Sequence, residues 1–153
     1  MKKIRRKDRE ITRHEAEELL LNCIYGILST VGEGGQPYGV PLSYTYKNNC
    51  IYFHCAMAGH KIDNIQNNSK VSFCVVGNTN VVAAERTIKY ESAIVSGVAS
   101  EAQGTEKENA LLWLLEKYSA EFIEEGKNVI SKKGKVTKVI KIEINHISGK
   151  AQK

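Results

Sequence analysis

Several signatures are missing from this chain, and each absence narrows the reading. There is no GxGxxG and no GxxxxGK[ST], so neither the dinucleotide fingerprint nor the phosphate loop is present. The four cysteines, Cys23, Cys50, Cys55 and Cys74, include no CxxC pair. That spacing argues against a redox dithiol or a zinc knuckle, and no metal site is expected. Cys50, Cys55 and Cys74 instead lie in apolar, strand-like runs, where a reduced thiol acts as a small buried hydrophobe. Apolar runs are short: Leu19–Leu21 and Val81–Ala84 fall far below membrane-spanning length. No apolar signal-type segment follows the charged N-terminus, which gives the expectation of a cytoplasmic protein with no membrane partner. Internal repeats and low-complexity tracts are also lacking.

What is present is an ordinary globular composition, with 42% hydrophobic and 25% charged residues over 153 positions. The expectation is one domain spanning 1–153, with 1–11 as a basic N-terminal arm. The formal charge of +5 comes largely from that arm and from Lys132, Lys133, Lys135 and Lys138. Two separated basic clusters without a binding motif are weak grounds for a nucleic-acid partner, and a small anionic ligand explains them equally well.

Thr12 followed by Glu15 is a capping-box spacing, and Ala16, Leu19, Leu20 and Cys23 continue it with helical period. Residues 25–31 read as a strand, 32–35 as a turn, and 37–46 as an alternating strand in which Pro37 and Pro41 indicate an edge. Strands follow at 50–55, 70–76, 89–100 and 138–144, with 77–80 breaking the run and Gly97 permitting a bend. Thr105 to Glu108 has the spacing of a second capping box, opening a helix with the stripe Leu111, Leu114, Leu115 and Tyr118. Trp113 lies off that stripe, as expected of an aromatic at an interface. About six strands without regular strand–helix alternation predict a small, mainly antiparallel barrel with helices around it.

The segment Phe53–Ile65 carries the clearest chemistry. An apolar strand runs through Ala58 and Gly59 into a short helix whose first side chains are His60 and Lys61. Unpaired N–H groups at a helix start, the positive dipole end and adjacent cations together suit a phosphate.

These pieces resemble the FMN-binding split-barrel superfamily, in the branch related to pyridoxamine-phosphate oxidase that includes the nitroimidazole-resistance proteins. The resemblance rests on Arg5–Glu10, Pro37–Tyr44, Ile51–Ile65, Lys70–Val75, Tyr90–Gly97 and Ile147–Lys150, in the expected order. It implies a mainly β, antiparallel, Greek-key split barrel and a homodimer with FMN at the subunit interface. It also implies phosphate contacts at His60 and Lys61, a flavin-lining strand at Pro41, Leu42, Ser43 and Tyr44, and a ribityl or ring face at Leu28, Ser29 and Thr30. His54 and Cys55 lie on the matching strand, where alternation sends one to the cofactor and the other to the core; Trp113 joins the cofactor set.

The activity implied is an FMN-dependent oxidoreductase that uses NAD(P)H to reduce a small electron-poor aromatic such as a nitroimidazole. The flavin supplies the chemistry and the protein supplies orientation. The alternative is a non-enzymatic flavin- or haem-binding module. Tyr38, Tyr44, His54 and Tyr90 are available proton donors, and none is assigned a catalytic role.

Overall fold

Thr12 caps the first helix as its spacing from Glu15 predicts. In the computed structural model, which describes residues 1–153, its hydroxyl accepts from the Glu15 N–H at 3.2 Å and Glu15 reaches back to the Thr12 N–H at 2.7 Å. Helix α1 (Arg13–Asn22) buries Ala16 and Leu20. The strands are β1 (Gly26–Val31), β2 (Pro37–Leu42), β3 (Thr45–Lys47), β4 (Cys50–Ala56), β5 (Lys70–Val82), β6 (Thr87–Ala102) and β7 (Thr137–Gln152). Between and after them run α2 (His60–Asn67), α3 (Gly104–Tyr118) and α4 (Ile123–Lys133).

All strand pairs are antiparallel, in the order β2-β1-β5-β6-β7-β4-β3. The two edge strands, β2 and β3, are consecutive in the chain and joined by Ser43 and Tyr44 alone. The sheet therefore curls into a barrel split at that joint. This is the expected split-barrel class, with two edges blunted differently: β2 carries Pro37 and Pro41, and β3 is three residues long.

Several local expectations need correction. The stretch 37–46 is two strands rather than one, because the chain changes edge at Ser43 and Tyr44. Residues 77–80 do not end β5; a register shift between Gly77 and Asn80 absorbs them, and the hairpin continues to Val82. Gly97 does mark a bulge: the extra residue is Asn145 of β7, opposite the Ser96–Gly97 step of β6, and a Cβ on Gly97 would lie 2.3 Å from the Glu143 carbonyl oxygen. The second capping box does not form: α3 begins at Gly104 with no side-chain cap. Thr105 falls inside the first turn rather than at the cap, and Glu106 accepts from the Tyr52 hydroxyl at 2.9 Å and from Lys141 at 3.1 Å, which ties α3 to the sheet. Helix α4 was not expected at all, since it buries no side chain.

There are two cores. One fills the barrel, with Leu28, Ile51, Phe53, Phe73, Val75, Val95 and Ile142 fully enclosed. The other, Tyr52, Ala102, Ala110, Leu111 and Val139, lies between α3 and the outer face of β4 and β7. Strand β4 thus has apolar packing on both sides, with Ile51 and Phe53 inward and Tyr52 outward.

At the split, backbone groups that no ladder satisfies find partners on α3. The Tyr118 hydroxyl accepts from the Tyr44 N–H at 3.0 Å, and its proton reaches the carbonyls of Ile24 and Tyr44 at 2.8 and 2.9 Å. Lys117 Nζ donates to the carbonyls of Cys23 (2.8 Å) and Tyr44 (3.0 Å) and sits 3.8 Å from the Tyr44 ring centroid. No carboxylate pairs with it.

Burial lowers the pKa of this ammonium from 10.5 to about 8. Below about 8 it is charged in both states and the fold carries the desolvation cost. Between about 8 and 10.5 the unfolded chain holds a proton that the folded chain has lost, so stability climbs with pH. The thermal midpoint of cofactor-free protein is expected to rise between about pH 8 and pH 10 relative to Lys117→Met. Parallel profiles for the two proteins would rule this out.

Candidate functional site

Gly59 shapes the centre of the site. At φ 154° and ψ 173° it occupies a region closed to ordinary side-chain-bearing residues, and it turns the chain from β4 into α2. No side chain caps α2, so the N–H groups ahead of Asp63, whose own N–H donates to the Gly59 carbonyl at 3.0 Å, have no capping side chain as partner. Ile62 and Ile65 seat the helix in the barrel core, and Asn64 fixes it further by donating to the Thr30 hydroxyl at 2.9 Å. His60, exposed, stacks on Tyr38 of β2 with ring centroids 3.9 Å apart and planes inclined at 26°. Lys61 forms no ion pair. A helix end, an unpaired ammonium and an imidazole thus converge at the close of β4.

Alternation along β4 puts His54 and Cys55 on opposite faces. Cys55 packs half-buried against the barrel core, and its thiol is pushed up by burial, opposed by the nearby Lys61 and Lys138. His54 is exposed and pairs with Val139, on the face covered by α3. All four cysteines are free and half-buried, each with its thiol pushed up by burial, which holds them protonated at neutral pH.

The other residues of the predicted set divide sharply. Pro41, Ser43 and Ser29 are exposed. Leu28, Thr30 and Tyr44 are fully buried, so of the segment Leu28–Thr30 only Ser29 turns outward. Tyr44 is held inside by a hydrogen bond from its hydroxyl to the Leu20 carbonyl, and Leu42 is half-buried against the barrel core. Trp113 is half-buried beside Tyr52, 5.5 Å between ring centroids, with Lys47 Nζ 5.6 Å from its ring. It sits on α3 against the β3–β4 side rather than with His60.

Register across the sheet adds a feature that spacing along the chain gives no hint of. Pro41, Ile27, Cys74, Ile94 and Ser148 form one cross-strand row on the outer face. Gly39, Ser29, Ser72, Ser96 and His146 form the next. Neither row contains Lys, Arg, Asp or Glu, although 25% of the chain is charged. The result is a stretch of the outer face without Lys, Arg, Asp or Glu. Other positions missed in the sequence are Lys117 and Tyr118, whose contacts with Tyr44 span more than 70 residues.

A family model, pyridoxamine 5'-phosphate oxidase, matches residues 12–151. The chain belongs to the pyridoxamine 5'-phosphate oxidase family. Solved structures agree on the fold. A candidate 5-nitroimidazole antibiotic resistance protein from Bacteroides thetaiotaomicron superposes with a TM-score of 0.74 at 22% identity, covering 92% of this chain and 85% of that one. A FAD-binding protein from Mesorhizobium loti gives 0.67 at 23% identity, with 95% and 98% covered. The FAD and heme binding protein from Mycobacterium smegmatis gives 0.75 at 14%, with 95% and 74% covered. No curated protein sequence matches the chain.

Within the pyridoxamine 5'-phosphate oxidase family fold, the match spans α1 through nearly all of β7, and so includes the helix end at Gly59, the split at Ser43 and the uncharged outer face. None of the helices is long and apolar enough to cross a membrane. No group of His, Cys, Asp and Glu side chains is arranged to hold a metal ion.

Proposed function

We propose that the protein binds FMN as a homodimer and passes electrons from a reduced nicotinamide to a small electron-poor aromatic. The observation that carries this is the uncapped start of α2, with Lys61 unpaired and His60 stacked on Tyr38. Such an end suits the terminal phosphate of FMN: N–H groups and an ammonium donate, and the one carboxylate of the first turn, Asp63, makes no ion pair with Lys61. The exposed Pro41 and Ser43 edge offers uncharged backbone to the polar rim of the flavin ring. The two uncharged cross-strand rows support a second copy as the cover for that edge. Flavin, when bound, supplies the hydride and electron chemistry; the chain holds the phosphate, orients the ring and limits water.

The likeness to a FAD and heme binding protein favours a second reading, cofactor binding without turnover. One experiment separates the two. Protein as purified is expected to show flavin bands near roughly 370 and 450 nm that bleach on anaerobic NADH and return on adding a nitroimidazole. Bands that persist without bleaching favour the binding module. Colourless protein that also takes up no added FMN refutes both flavin readings.

A further inference from the structure

The joint between β2 and β3 holds one backbone acceptor whose direction is fixed from its far side. Tyr44 is fully buried, so its N–H cannot reach water and needs a partner inside the protein. The Tyr118 hydroxyl of α3 is that partner, at 3.0 Å. In a trans peptide, which is planar, the N–H and the C=O point in opposite directions. No peptide bond of the chain is cis. An N–H directed at α3 therefore turns the carbonyl of the same peptide, that of Ser43, away from α3. The next peptide is held as well: Lys117 Nζ and the Tyr118 hydroxyl both donate to the Tyr44 carbonyl, at 3.0 and 2.9 Å. With two successive peptides tied, the Ser43 carbonyl cannot rotate without breaking bonds that α3 alone supplies.

That carbonyl is unused within the chain. Ser43 is exposed and lies outside every helix and strand, and neither a backbone N–H nor a side chain donates to its oxygen. The edge it extends is poor in donors. Strand β2 pairs only with β1, and proline in an edge strand turns its missing N–H to the free side. Pro37, Gly39 and Pro41 thus direct their backbone groups to the free edge, and of these Gly39 alone has an N–H to give. Carbonyls outnumber N–H groups there, so a ligand gains most by bringing a donor.

We propose that Tyr118 is a positioning residue: by holding the Tyr44 N–H it aims the Ser43 carbonyl at an imide N–H of the bound ring, and so makes the site selective for rings that carry that donor. This rests on the flavoprotein reading and deepens it. An oxidised flavin ring has a single N–H, the imide at N3, flanked by two carbonyls. A peptide free to flip would offer its own N–H instead, which suits those flanking carbonyls and not the imide. Selectivity is thereby set from the buried side of the joint, by a residue that need not touch the ring.

The test compares FMN with its N3-methyl derivative, which keeps the phosphate and the ring and exchanges the imide proton for a methyl group, by fluorescence titration of full-length protein. Wild-type protein is expected to bind the methylated flavin at least about tenfold more weakly. In Tyr118→Phe the gap is expected to shrink to within about threefold, because FMN loses affinity and the methylated flavin has no such bond to lose. Hydrogen exchange at the Tyr44 amide of flavin-free protein should accelerate in the same variant, while amides of the β6–β7 ladder keep their protection. A Tyr118 that served stability alone would lower the affinity for both flavins alike and keep the gap; that result overturns the proposal. So does equal binding of the two flavins by wild-type protein, a comparison that needs no variant to fold. Either of these leaves the flavoprotein reading standing, whereas wild-type protein that takes up neither flavin refutes that reading and the proposal with it.

Discussion

Lys61→Ala is expected to weaken FMN binding by about 10- to 100-fold while leaving the cofactor-free protein as stable as before. Binding and folding are the two independent halves of this expectation. A hydrogen bond to a charged group contributes about 1.5–3 kcal/mol net, which sets the loss of affinity. The side chain makes no ion pair and no hydrogen bond in the free protein, and alanine is at least as good a helix former, so folding has nothing to lose. Fluorescence titration with FMN and a thermal melt of the cofactor-free variant measure the two halves separately. Unchanged affinity would remove Lys61 from the site. A large drop in melting temperature with no flavin present would make it part of the scaffold.

Phe73→Ala should show the opposite pattern. Phe73 is 0% exposed, meets the Tyr44 ring edge-on at 4.8 Å between centroids, and pairs with Leu28 on one side and Val95 on the other. Its ring also occupies the space that a Cβ at Gly26 would need, 2.3 Å away. Removing it leaves a void bounded by three strands whose backbones are locked by ladder hydrogen bonds, so little of the void can collapse. A loss of roughly 3–5 kcal/mol follows for such a deletion, read from urea unfolding of cofactor-free protein. Because Tyr44 continues from the exposed Ser43 edge, flavin affinity should fall less than stability does. A loss below about 1 kcal/mol would mean that the barrel interior is far looser than its burial implies.

Local rules read some parts of this molecule correctly and others poorly, for identifiable reasons. The Thr12–Glu15 box formed because nothing else competes for Glu15. The same spacing at Thr105 failed because α3 begins one residue earlier, at Gly104 with its φ of 61°, which leaves Thr105 inside the helix rather than at its cap. His54 and Cys55 were indistinguishable because β4 has apolar packing on both faces, and only the placement of α3 says which face is which. Helix α4 escaped notice because Ile123, Val129 and Ile130 make too thin a stripe around Gly126 to signal burial. At the candidate site, the Gly59 turn into a helix that opens with His60 and Lys61 was legible along the chain. The stack of His60 on Tyr38, the uncharged cross-strand rows and the polar contacts that fill the split were not. Each depends on register or on curvature, which no window along the chain contains.

The pairing of β4 with β7 also has a bearing on how the molecule is made. Ile51 sits opposite Ile142, and Phe53 opposite Ile140. A ribosome adding about 5–20 residues per second exposes β4 for several seconds before its neighbour on that side has been synthesised. Throughout that interval Cys50, Ile51 and Tyr52 have only the three residues of β3 to pair with, and Phe53 has no strand partner at all. The strand that leads into α2 is therefore among the last to be locked, although its Ile51 and Phe53 belong to the barrel core.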